Sequence, residues 1–86
     1  MFLRNSYTFA RVLGSSGSAI DLGETYDGFV ATTAITNEVT FTLSQDGNAA
    51  RTVVFPTIPV GVFVPLVFWK VECDTAADGN KIIIFN

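Results

Sequence analysis

The chain has no histidine and one cysteine, Cys73, among its 86 residues. Without histidine, the side chain that changes charge near neutral pH is missing, so any general acid–base chemistry would fall to carboxylates. A lone cysteine excludes an internal disulfide and, with no histidine beside it, offers no soft-metal ligand set. Charge is also scarce: Asp, Glu, Lys and Arg make up 15% of the residues, against about 25% in a typical domain, while 49% are apolar. A net charge of −3 and a pI of about 4.5 leave no basic surface for a phosphate backbone, which argues against nucleic acid as a partner. The longest apolar run, residues 58–69, is shorter than the ~20 residues of a membrane span and is broken by Pro59, Gly61 and Pro65. The opening residues, MFLRNSYTF, lack the apolar stretch of a signal peptide, so the expectation is a chain made in the cytoplasm, with no membrane partner.

A chain of this length is one domain, 1–86, and buries only roughly 60% of the surface it exposes when unfolded. Small domains gain support from disulfides, a metal or oligomerisation, and here only the last is open. The mean hydropathy of +0.43 points the same way. With so little charge to keep it in solution, part of the apolar surface is expected to be covered by copies of the chain or by another protein.

What the sequence does contain is a period of two. Val39, Phe41 and Leu43 alternate with Thr40, Thr42 and Ser44, which reads as a half-buried strand. Gln45-Asp46-Gly47-Asn48 follows as a tight turn, and residues 51–55 return as the second strand of a hairpin. Upstream, Tyr7, Phe9 and Leu13 oppose Thr8, Ala10 and Val12 in a strand ended by the Gly14–Ser18 loop, with residues 1–6 as an extended arm. Residues 19–22 and 29–33 read as two short strands joined by a turn-bearing connection over 23–28. Residues 66–73 and 81–85 read as a second hairpin around the polar loop 74–80. No segment shows helical periodicity, so the predicted class is all-β, a small antiparallel β-sandwich or jelly roll of about six to eight strands.

The strands at 66–69 and 82–85 are apolar on both faces, whereas a sandwich strand normally buries one. Either the 58–65 connection or the N-terminal arm covers the second face, or a neighbouring subunit does. Candidate interface residues are Phe2, Leu3, Phe63, Val67, Trp69, Ile83 and Phe85.

Readings that would give the chain a chemistry are weaker. Asp21, Glu24 and Asp27 are three apart, but in a turn-rich stretch that spacing does not gather them on one face. Asp74 and Asp78-Gly79 fit positions one, five and six of a calcium-binding EF-hand loop, yet Ala76 and Phe85 stand where ligands belong. The glycines at 14 and 17 lack the lysine that follows a phosphate-cradling loop. Trp69, Phe63, Phe68 and Phe85 suit a core better than a stacking platform, and Cys73 reads as a small buried hydrophobe. No catalytic residue, cofactor or metal is expected, and the chain is not expected to be an enzyme.

Residues 59–71, Pro59-Val-Gly61-Val-Phe-Val-Pro65-Leu-Val-Phe-Trp-Lys-Val71, carry a family resemblance. Together with the strand 39–43, Asp46-Gly47, the loop residues 75–77 and the final strand 82–85, they resemble, in order, the small virion proteins of tailed phages and gene transfer agents called head-spike base proteins. The resemblance spans about residues 29–86; Val67 and Trp69 depart from it where relatives are often basic, and Asn86 where they end in an aromatic. It implies a capsid-associated β-domain on the virion exterior, a homo-oligomer that contacts the major capsid protein and a spike or fibre protein at a vertex. Copies would meet head to tail around the capsid axis, as a pentamer at a five-fold vertex. The alternatives are a trimeric decoration, or cement, protein at three-fold positions, and a glycan-binding attachment module with exposed aromatics.

Overall fold

The computed structural model describes residues 9–15, 19–43 and 51–86. Its elements are β1 (Ala10–Val12), β2 (Ile20–Ala31), β3 (Val39–Leu43), β4 (Arg51–Phe55), β5 (Val64–Cys73), a 3-10 helix (Ala76–Lys81) and β6 (Ile82–Phe85). The class is all-β, as the sequence predicts. All six strands join one sheet in the order β1-β6-β2-β5-β3-β4, each antiparallel to its neighbours.

The sheet curls strongly. Phe29 on β2 stacks on Phe41 of β3 with ring centroids 4.4 Å apart and meets Phe55 of β4 edge-on at 5.5 Å. In a flat sheet β2 and β3, with β5 between them, would lie about 10 Å apart, and β4 one strand further still. Only a sheet rolled toward its apolar side brings these rings together, so one continuous sheet supplies the facing layers of a sandwich. The concave side holds the core: Phe29, Ala31, Val39, Phe41, Phe68, Val71, Ile82 and Ile84 are fully buried. Its open end is closed where Ile35, before β3, and Ile58, after β4, exchange two backbone hydrogen bonds of 2.9 Å.

Several sequence expectations hold locally. Strands β3 and β4 pair from Val39↔Phe55 to Leu43↔Arg51 as a hairpin requires, with Val39 and Phe41 inward; the Asp46-Gly47 turn itself lies outside the described residues. Two connections differ from expectation. Residues 19–22 and 29–33 were predicted as separate strands, but β2 is continuous through them. From Asp21↔Lys70 to Tyr26↔Phe68 it advances five residues while β5 advances two, so the extra residues are taken up as a wide bulge. Gly23, at φ 76°, makes the bulge possible, and its N–H donates to the Asp21 carboxylate at 2.9 Å. The turn-forming residues therefore bend the strand without reversing it.

The second correction concerns β5 and β6, which do not form a hairpin: β2 lies between them. The 74–80 loop, predicted as a simple turn, contains the 3-10 helix and carries the chain past β2 to its far side. There β6 fills the place between β1 and β2. The helix can lie close because Gly79 has no side chain: a Cβ there would run into the carbonyl oxygen of Gly14, whose N–H donates to the Gly79 carbonyl at 3.1 Å.

Candidate functional site

Alternation along the strands assigns the outer, convex face. Ile82 and Ile84 point into the core, so Ile83 and Phe85 point out, and the paired residues of β1 and β2 follow. Two apolar rows cross the sheet. One is Val12↔Ile83↔Val30; the other is Ala10↔Phe85↔Gly28↔Pro65. Val67 projects from the same side of β5, since Leu66 and Phe68 face the core.

Phe63 completes the surface. It precedes β5 and lies over Gly28, where a Cβ would strike its ring, and it meets Phe85 edge-on at 5.6 Å. The absence of a side chain at Gly28 is what lets the aromatic ring settle on the sheet. The connection gets there by wrapping around the end of β2: Gly61, at φ 77°, donates its N–H to the Ala31 carbonyl at 2.9 Å before the chain turns into β5. Part of the 58–65 connection thus covers the second face of β6, as one of the two sequence readings expected. The cover is incomplete, because Val12 and Val67 remain exposed and Ile83 and Phe85 only half-buried.

The far half of the same convex face is different. Across β4, β3 and β5, Thr52 lies beside Thr42 and Lys70, and Val54 beside Thr40 and Glu72. Apart from Val54 this is the polar, solvated side that an antiparallel sheet ordinarily shows. The apolar part is confined to β1, β6, β2 and the start of β5.

Of the candidate interface residues, the structure brings Phe63, Val67, Ile83 and Phe85 onto one face. Trp69 is the extra residue of a bulge in β5, opposite no residue between Thr42↔Lys70 and Leu43↔Phe68. It stands near the boundary of the two halves, with the Lys70 ammonium 5.8 Å from its ring centroid. Phe2 and Leu3 lie outside the described residues. Phe68, weighed as a stacking aromatic, is buried core. Sequence reasoning missed Val12, Val30 and Pro65; the signal was their place opposite Ile83 and Gly28, which emerges only once β6 is known to sit between β1 and β2.

Several titratable groups play local structural parts. Asp21 serves the β2 bulge, and Glu24 accepts a hydrogen bond from the Asn86 amide at 3.3 Å. Asp78, 2% exposed, accepts from Lys81 Nζ at 2.8 Å on one carboxylate oxygen and from Asn37 Nδ2 at 3.2 Å on the other. The Lys81 hydrogen bond holds its carboxyl below the usual range, against the opposing effect of burial and with further help from Asn37. This trio ties the 3-10 helix to the β2–β3 connection. Burial, aided by the Asp78 charge, pushes the half-buried Cys73 thiol up to about 11, so at neutral pH it is protonated and weakly nucleophilic.

Among the described residues no group of three or more Cys, Asp or Glu side chains is placed to hold a metal ion, and no helix is long and apolar enough to cross a membrane. The most distinctive surface of the described residues is the apolar half of the convex face. Compared with known protein families, with curated proteins and with solved structures, the chain matches none of them.

Proposed function

We propose that this chain is a structural protein of a virion, associated with the capsid, and that it works by binding protein surfaces through the apolar half of its convex face. The observation that carries the reading is the contrast within one sheet. Val12, Ile83, Val30, Phe85 and Phe63 form a contiguous apolar area, while Thr40, Thr42 and Thr52 give the other half an ordinary solvated surface. A solitary small domain gains nothing from a localised apolar patch of that kind, whereas a partner that covers it gains its burial. The finer assignment, a head-spike or fibre base at the capsid vertex facing the major capsid protein and a spike, rests on the resemblance of residues 29–86 to head-spike base proteins.

Ile83→Asp tests the surface. Ile83 is half-buried on the convex side, so the variant should keep its fold by circular dichroism and disappear from particles that take up the parent chain. Incorporation equal to the parent's would refute the surface. Copy number in those particles then separates the roles: multiples of five at vertices fit a spike base, and hundreds of copies in trimers fit a cement protein.

A further inference from the structure

The sheet has two open edges among the described residues, β1 and β4. Phe9 and Asn86 exchange hydrogen bonds of 3.2 and 3.0 Å, and Leu13 donates to the Ile82 carbonyl at 2.8 Å. Odd-numbered residues of β1 therefore face β6, and the backbone N–H and C=O groups of Ala10 and Val12 point away from the sheet. Such a row is a template for another strand, and solitary proteins usually blunt it with lysine, proline or inward charge. These edges carry no lysine or proline, and the one charge of β1, Arg11, lies on the concave side beside Ile84, where it is already paired. Arg11 is engaged by Tyr26, donating from Nε to its hydroxyl at 3.1 Å. Strand β4 has a single charge, Arg51, at its start, and no proline. Phe9 and Val12 at one edge and Val54 at the other are each about half exposed.

From this we infer that β4 of one copy pairs with β1 of the next, antiparallel and head to tail, in a closed ring whose sheets are continuous. The occupant follows from topology. Six strands with every neighbour antiparallel give the two edges opposite directions, so rotation about an axis along the strands sets β1 of the next copy antiparallel to β4. The same rotation keeps each concave core and each convex face on its own side. One contact repeated around the ring satisfies both edges, whereas two-fold pairing of like edges leaves the other pair open. The inference rests on reading the chain as an assembling structural protein, and it leaves the convex face free for the capsid or spike.

The test is the solution mass of the full chain by light scattering, beside that of Ala10→Pro. The Ala10 N–H donates nothing to β6, so proline there removes only the outward donor. The parent should be a ring of three or more copies of the 9.3 kDa chain, and Ala10→Pro a folded monomer. In the parent ring, amide exchange at Ala10 and Val12 should slow at least about tenfold relative to dilute monomer. If Ala10→Pro fails to fold, the exchange measurement decides alone, and fast exchange at both amides in an assembled parent overturns the pairing. An Ala10→Pro ring of parental mass overturns it as well, while the virion reading stands. A parent monomeric at every concentration overturns the ring, and its absence from particles would separately overturn the virion reading.

Discussion

Replacing Phe41 with alanine removes the ring on which the curled sheet closes. Phe41 is fully buried, stacked on Phe29 at 4.4 Å and set edge-on to Phe68 at 5.0 Å and Phe55 at 5.5 Å. Losing a buried phenylalanine costs about 3–5 kcal/mol, and three ring contacts, each worth about 0.5–1.5 kcal/mol beyond area, place this one at the upper end. A domain this small draws about 3–5 kcal/mol from its own core, so Phe41→Ala should be largely unfolded at 25 °C. Phe41→Leu keeps most of the volume and loses the ring geometry, for about 1–2 kcal/mol. Phe55 touches two of the same rings from a half-buried position, so Phe55→Ala should cost about 2 kcal/mol. Urea unfolding at one fixed protein concentration is the assay, because any assembly adds stability by mass action. The reasoning is refuted if Phe55→Ala costs as much as Phe41→Ala, or if the Phe41→Ala midpoint is unchanged.

Two further predictions concern the 3-10 helix. Gly79→Ala should lower stability by about 1–3 kcal/mol or more, because its methyl meets the Gly14 backbone and no flexible side chain can yield, and thermal melting reads the loss. Gly79 lacks a positive φ, so the effect is steric alone. Asp78 has a folded pKa below its ordinary 3.8, so its contribution is fully present above that value and lost as the pH falls through the folded pKa. Asp78→Asn should therefore destabilise at neutral pH and flatten the acid limb of the stability curve below about pH 4, and a limb as steep as the parent's would count against the trio with Lys81 and Asn37.

Strand identity was legible in the sequence wherever one face is polar. Val39 to Leu43 alternates with threonines, and its inward and outward residues follow from that pattern alone. Strand order was not legible. Residues 66–73 and 81–85 are joined by a loop of hairpin length, and nothing in the loop announces that its 3-10 turn carries the chain over β2. The bulge in β2 was hidden for a related reason: glycine and aspartate signal positive φ and side-chain-to-backbone bonds, which serve a bulge as well as a reversal. The apolar half of the convex face was half legible. Two-sided apolar strands identified Val67, Ile83 and Phe85, but Val12 and Val30 join them only through the register across β6.

The position of β6 also sets the order in which the fold can be completed. It is last of the six along the chain, yet it lies between β1 and β2 and joins them, and among the described residues β1 pairs with no other strand. A nascent chain lacking residues 82–85 has β1 with nothing to pair to and the core without Ile82 and Ile84. The sheet therefore cannot close until residues 82–85 are in place, and it closes through contacts distant in sequence, which are slow to form. The outer edge of β1 is held in place by that same step, so without β6 the sheet has no ordered β1 edge.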